Sequence, residues 1–151
     1  MNKDDSGPMP KRPMRFQFEL ISENGEKLAD QYKGAVEKFE GVNLNYSIES
    51  LEFVNIFLQK FRDQGLTTED FAETIFIAGC YVGQVMVINH HGQWINEKEA
   101  LLPEGISMMP IVIKLPNGTI TDPIAKAFKR FYNGTIDNLA YYYHVFTNNK
   151  K

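Results

Sequence analysis

The cysteine and the histidines are the side chains in this sequence best suited to nucleophilic chemistry or metal binding. A cysteine nucleophile needs an accessible thiol whose pKa has been lowered by a nearby base or positive charge. Cys80 instead lies in the most apolar stretch of the chain, between Ala78 and Val82. The sequence therefore predicts a buried, unreactive cysteine.

A metal site is imaginable around His90 and His91, with Glu97, Glu99 and the distant His144 as further ligands. Two adjacent residues of a helix point about 100° apart, which does not suit two ligands of one ion. The sequence also has neither an HExxH motif nor paired cysteines. We therefore predict no metal site.

The glycines give no sign of a nucleotide or other cofactor. Gly92 and Gly118 stand at expected turns, and neither belongs to a GxGxxG or GxxxxGK motif. With no catalytic constellation and no cofactor motif, the sequence favours a non-catalytic protein. The open alternative is a small enzyme or ligand-binding protein whose pocket lies between a sheet and a central helix. Its candidate lining residues are Tyr81, Gln84, His91 and Trp94.

The residues from 67 to 91 predict the helix on which the fold depends, because their apolar side chains surround the helix instead of forming one stripe. Thr67 is the expected N-cap, and Leu66 and Phe71 are spaced as a hydrophobic staple around it. Gly79 and Gly83 are four residues apart and would permit close backbone approach at a cost of about 1 kcal/mol each in helix propensity. The helix should be buried and central.

The other apolar patterns complete an α+β fold. Three N-terminal helices are predicted, counting the central one, followed by a short strand at 93–95 and a β-hairpin across 111–121. Two helices follow, the first capped by Asp122 with Pro123 at its first position, the second from about 136 to 146. Residues 1–15 contain three prolines and mixed charge, which predicts a flexible arm. Residues 16–151 should form a single domain.

Charge is unevenly distributed along the chain. The net charge of −3 combines −9 over residues 19–104 with positive blocks on either side. The negative charge of residues 19–104 favours a basic protein partner and disfavours nucleic acid. The predicted contact residues are acids of the second and central helices together with one exposed tyrosine of the last helix: Glu49, Glu52, Glu69, Glu73 and Tyr141.

The N-terminal sequence has no apolar core of a signal peptide, and the most apolar run is too short for a bilayer. These features predict a cytoplasmic protein that does not enter a membrane. The single cysteine agrees with a reducing compartment. Association of the chain with itself as a structural subunit of a homo-oligomer is a third possibility.

Five short motifs resemble those of a family of small uncharacterised bacterial proteins. They are YSIESL at 46–51, AGCYVGQV at 78–85, GQW at 92–94, KAFKRFYNG at 126–134 and LAYYY at 139–143. Where this sequence has Gln84, the family pattern has a glutamate, and where it has His91 and Gly92, the pattern has two glycines. Any role of a carboxylate at position 84 is therefore not carried over. The resemblance implies an accessory or immunity-type protein with no established catalytic residues. The concrete hypothesis is a cytoplasmic immunity protein that binds and neutralises a toxin, with a basic toxin domain as its partner.

Overall fold

The computed structural model describes residues 7–147 and has the predicted α+β architecture. Short 3-10 turns at 22–24, 48–50, 97–100 and 134–137 join or extend the main elements. The helices are α1 (Gly25–Glu40), α2 (Leu51–Asp63), α3 (Thr68–His90), α4 (Pro123–Asn133) and α5 (Leu139–Thr147). The strands are β1 (Gln93–Asn96), β2 (Ile111–Lys114) and β3 (Ile120–Thr121).

The central helix is α3, which packs mainly against α1 and α4. It begins as predicted at Thr67, whose hydroxyl accepts a hydrogen bond from the Asp70 amide at 3.1 Å. The Asp70 carboxylate in turn accepts from the Thr67 amide at 3.1 Å, which completes a capping box. By length and composition α3 could cross a membrane, but 67% of its apolar window is buried inside the protein. Such burial is typical of a core helix.

The two glycines of α3 permit close contacts, as their spacing predicted. A Cβ atom added to Gly79 would lie 2.5 Å from the Cα of Ile124 and 3.0 Å from the Pro123 carbonyl oxygen. A Cβ added to Gly83 would overlap the indole ring of Trp94. The backbone of α4 therefore rests on Gly79, and the side chain of Trp94 rests on Gly83.

The three strands form one antiparallel sheet in the order β1-β2-β3. Trp94 pairs with Ile113, and Ile113 also pairs with Thr121 in the hairpin. Gly118 closes the hairpin with a φ of +91°, a conformation that glycine adopts without strain. The sheet places Trp94 against α3, beside the start of α1.

The C-terminal helices begin at well-formed caps. The Asp122 carboxylate accepts from the Ala125 amide at 2.9 Å, and Pro123 occupies the first helical position as predicted. The last helix was predicted to begin near 136, but α5 begins at Leu139, because residues 134–137 form a 3-10 turn. Of the three successive tyrosines, Tyr142 and Tyr143 are buried and Tyr141 is exposed.

Candidate functional site

A groove on the outer side of α2 is the site best suited to binding. We call it the α2 groove; its volume is about 330 Å³. One wall is the face of α2 formed by Glu52, Asn55, Ile56, Gln59, Lys60 and Asp63. The opposite wall consists of Arg130 from α4, Thr135 from the following turn and Asn138 at the start of α5.

Arg130 is the buried cation of the groove, with only 2% of its surface exposed. Its Nε donates to the Asn55 side-chain oxygen at 3.0 Å, and one terminal nitrogen donates to the Asn55 carbonyl oxygen at 3.1 Å. The other terminal nitrogen donates to the Gln59 side-chain oxygen at 2.7 Å. All three acceptors are neutral amide oxygens. Burial and the nearby positive charge of Arg62 lower the pKa of Arg130.

Asn55 joins three helices at the edge of this groove. Its side-chain oxygen accepts from Arg130 of α4 and also from the Leu139 amide at the start of α5, at 2.9 Å. Asn55 is itself almost completely buried on α2. The two bonds hold α4 and α5 against α2, so the shape of the groove is fixed by buried polar contacts.

The rim of the α2 groove carries charges of both signs. The Asp63 carboxylate accepts from the Gln59 amide at 2.9 Å, and the Glu52 carboxylate accepts a longer bond of 3.4 Å from Asn55. Lys60 is directed to the carboxylate of Glu40, at 2.9 Å. The acids thus contact the amides that hold Arg130, and neither forms an ion pair with Arg130 in the described part of the chain.

Apolar side chains are exposed on the elements that form this groove. Ile56 lines it and is 56% exposed, and Ile136 lies in the turn that forms the opposite wall and is 83% exposed. Tyr141 is 72% exposed, and its amide is capped by the Asn138 side chain at 2.9 Å. Exposed apolar and aromatic side chains are typical of interaction surfaces.

The structure divides the predicted acidic contact residues into two groups. Glu49 and Glu52 are exposed at the start of α2, whereas Glu69 and Glu73 lie at the start of α3 and are partly covered by residues 7–15. The predicted arm runs along α3 there without regular secondary structure; residues 1–6 lie outside the described part. Two of the four acids are therefore already engaged within the chain.

Arg12 makes the main contact between the arm and α3. Its two terminal nitrogens donate to the two carboxylate oxygens of Glu73, at 2.7 and 2.8 Å. Its Nε donates to the Glu69 carbonyl oxygen at 2.9 Å, and the Glu69 carboxylate accepts from the Lys11 amide. A bidentate arginine–carboxylate pair fixes orientation as well as charge.

Acidification is expected to weaken this contact. The bonds from Arg12 and from the Arg15 amide lower the pKa of Glu73 to about 2, below its ordinary value of 4.5. Since the folded pKa is the lower one, ionised Glu73 stabilises the protein fully above about pH 4.5, and this contribution is lost as the pH falls towards 2. The difference in free energy of unfolding between the wild type and Glu73→Gln should shrink over that range.

Chemical denaturation at several pH values would measure this difference. Asp70 and Asp137 also have lowered pKa values, so total stability falls in the same range for other reasons. Comparison with Glu73→Gln separates the Glu73 contribution from theirs. A difference that stayed constant from pH 6 to pH 2 would contradict the role given to the Arg12 contact.

The four residues of the alternative pocket lie in different surroundings. Trp94 Nε1 donates to the side-chain oxygen of the buried Gln84 at 2.9 Å, and its ring covers Gly83. The Tyr81 hydroxyl accepts from the Tyr46 amide at 2.8 Å and lies 2.7 Å from the Ser50 hydroxyl. His91 is exposed at the end of α3, with a φ of +58°. Gln84 and Trp94 are thus hydrogen-bonded to each other, whereas the Tyr81 hydroxyl contacts residues of the segment that precedes α2.

Cys80 and His90 are held in structural contacts. Cys80 is fully buried, and burial raises the pKa of its thiol, as its apolar surroundings predicted. His90 Nδ1 lies 2.6 Å from the Tyr143 hydroxyl, and burial lowers the pKa of His90. Among residues 7–147 no three metal-ligating side chains come together.

Arg130 and Asn55 were not identified from the sequence. Asn55 follows Val54 inside an apolar stripe, and a polar residue in that position signals a buried hydrogen bond. Arg130 gives no comparable signal, because it follows Lys129 in a basic run that reads as a solvated helix face. Only the packing of α4 on α2 distinguishes the exposed Lys129 from the buried Arg130.

Comparison of the chain with protein-family models, with curated proteins and with solved structures finds no match. A functional assignment therefore depends on the geometry of the α2 groove and its surroundings.

Proposed function

We propose that the protein is a non-catalytic protein-binding protein, and most concretely a cytoplasmic immunity protein that binds and neutralises a toxin. The observation that carries this proposal is the outer face of α2, where Glu52 and Ile56 are exposed and line a groove of about 330 Å³, together with Glu49, which is exposed in the 3-10 turn just before the helix. This surface combines acidic and apolar side chains of α2 and the turn that precedes it. The same helix is held rigidly by Asn55 and Arg130.

The composition of this face suits a protein partner. Protein interfaces depend on a few large apolar or aromatic side chains surrounded by polar ones. Ile56, Ile136 and Tyr141 can supply the first kind of contact, and Glu49 and Glu52 the second. A rigid helix face also reduces the entropy lost on binding.

The charge of the chain supports a basic partner. The acidic excess of residues 19–104 would attract a basic surface over distances comparable to the Debye length, about 10 Å at 0.1 M salt. The partner is therefore expected to be basic where it meets α2, as a nucleic-acid-directed toxin domain would be. Its association should be steered by charge.

Reversing the charge of Glu49 and Glu52 together should slow association at least about tenfold at low salt while leaving the fold intact. Both side chains are exposed, so their replacement by lysine removes few internal contacts. Once affinity capture has identified a partner, stopped-flow kinetics over a salt series would measure the on-rate. The wild-type on-rate should fall as salt rises, and that of the variant should depend less on salt.

The matched control reverses Glu23 and Glu26, which are exposed near the start of α1 and change the net charge by the same amount. This control should slow association much less if contact occurs through α2. Equal slowing by both pairs would mean that only net charge matters. An on-rate unaffected by salt and by both pairs would refute the acidic interface.

Charge reversal at Glu69 and Glu73 would not test the binding interface alone. Reversal at Glu73 would place a lysine opposite Arg12 and disrupt the contact between the arm and α3. A loss of binding in that variant could arise from the arm instead of the interface. Its stability must therefore be measured alongside its kinetics.

A further inference from the structure

The described part of the arm contacts α3 in the way that a bound basic peptide would. Arg12 donates to both carboxylate oxygens of Glu73 and to the Glu69 carbonyl oxygen. The backbone amides of Lys11 and Arg15 donate to the carboxylates of Glu69 and Glu73. The arm has no regular secondary structure, so its course is fixed by these contacts with α3.

The acidic face of α3 selects a basic segment that contains an arginine. Glu69 and Glu73 are four residues apart, so they lie on the same side of the helix, about 6 Å apart along its axis. Two of the contacts use backbone amides, which every residue except proline provides. Only the place of Arg12 requires a particular side chain, because a guanidinium can donate two parallel bonds to one carboxylate. Pro13 follows it, and a proline disfavours helix in the segment.

The contact lies at the surface, which makes the arm replaceable. The side chains of Arg12 and Glu73 remain 38% and 31% exposed. Water and salt compete with ion pairs at such positions. The apolar contacts of the arm come from Met9 and Met14, and each of these side chains is only partly buried. A second segment with the same chemistry would therefore find the same contacts once the arm has left.

We propose that the face of α3 at Glu69 and Glu73 is a docking site for a basic, arginine-containing segment of a partner protein, and that the arm occupies this site as an autoinhibitory strap. Because the arm is tethered, its effective concentration at the site is on the order of mM. A partner segment must exceed this competition to replace it. Neither acid lines the α2 groove, and the proposal does not depend on binding at α2.

The test uses the full chain and a synthetic peptide, GPMPKRPMRF, which has the sequence of residues 7–16. Fluorescence anisotropy of the labelled peptide would measure its affinity. In the wild type the arm competes with the peptide, whereas Arg12→Ala weakens the arm and leaves both acids in place. The peptide should therefore bind the Arg12→Ala chain at least about tenfold more tightly than the wild type.

A second substitution in the Arg12→Ala chain locates the site. Adding Glu73→Gln should weaken the peptide at least about tenfold, because the bidentate pair is lost. Adding Glu49→Gln is the matched control, since it makes the same change at an exposed acid before α2, and it should not alter the affinity. A peptide with alanine in place of its first arginine should bind the Arg12→Ala chain at least about tenfold more weakly than the original peptide does.

NMR of the ¹⁵N-labelled wild type would detect displacement of the arm without any substitution. Excess unlabelled peptide should move the amide signals of Lys11 and Arg15 towards those of a free chain, because both bonds to the acids are broken. The proposal is overturned if the peptide binds without these shifts, or if it shows no saturable binding to Arg12→Ala at about 5 mM. Equal affinity for the wild type and Arg12→Ala, or equal effects of Glu73→Gln and Glu49→Gln, would also overturn it.

Discussion

Replacing Gly79 with leucine is expected to lower the free energy of unfolding by about 3 kcal/mol, near the upper end for overpacked cores. The first side-chain atom alone would lie 2.5 Å from the Cα of Ile124 and 3.0 Å from the Pro123 carbonyl oxygen. Both are backbone atoms of α4, so no side-chain rotation relieves the overlap. The helices α3 and α4 would have to separate.

Gly34 provides the matched control, because it is also a helical glycine but is exposed on α1 with no atom near the position of an added Cβ. Alanine at Gly34 should raise stability by about 0.5–1 kcal/mol through helix propensity. Alanine at Gly79 should lower it, despite the same change in propensity. Urea denaturation of the variants would compare the signs, and a stabilising Gly79→Ala would contradict the close crossing of α3 and α4.

Replacing Trp94 with alanine is expected to cost about 3 kcal/mol, within the range for removal of a large aromatic side chain from a packed site. The indole ring lies against both Gly25 of α1 and Gly83 of α3. Its removal would leave a space between the two helices and the sheet. It would also leave the oxygen of the buried Gln84 without the donor that now lies at 2.9 Å.

The variant Trp94→Phe separates these two effects. Phenylalanine keeps much of the ring contact with the glycines but has no N–H for Gln84, so it should cost about 1–2 kcal/mol. Thermal or urea denaturation of both variants measures the two contributions. Equal stabilities of Trp94→Ala and Trp94→Phe would show that the ring contributes little through packing, contrary to the contacts with Gly25 and Gly83.

The caps of the helices made much of the fold predictable. Thr67, Asp122 and Pro123 are local signals whose effect extends over three or four residues, and all three act at the positions expected from the sequence. The pair Gly79 and Gly83 predicted close contact on α3, but the identity of the contacting groups was not predictable. The partners lie on α4 and β1, and a spacing within one helix contains no information about them.

The candidate site was harder to predict from the sequence, because its contacts join residues far apart in the chain. Arg130 meets Asn55 across 75 residues, and Arg12 meets Glu73 across 61. Composition predicted an acidic surface around Glu69 and Glu73 without revealing that the chain's own Arg12 lies on it. Glu49 and Glu52 are exposed, whereas Glu69 and Glu73 are partly covered. This difference depends on tertiary packing.

The position of α3 between α1 and α4 has a consequence for synthesis on the ribosome. The side of α3 that meets α1 can be covered as soon as α3 is complete, because α1 precedes it in the chain. The Gly79 side must wait for α4, whose last residue follows His90 by 43 positions. At about 5–20 residues per second, this delay is roughly 2–9 s.

During that delay the nascent chain exposes an apolar helix face that the finished protein conceals. Exposed apolar surface in a partly made chain is a site for chaperone binding and for aggregation. Slow codons placed between α3 and α4 would lengthen the exposure, whereas slow codons after α4 would not. The yield of soluble protein at fixed messenger levels should therefore be more sensitive to translation speed across residues 91–133 than across residues 1–60.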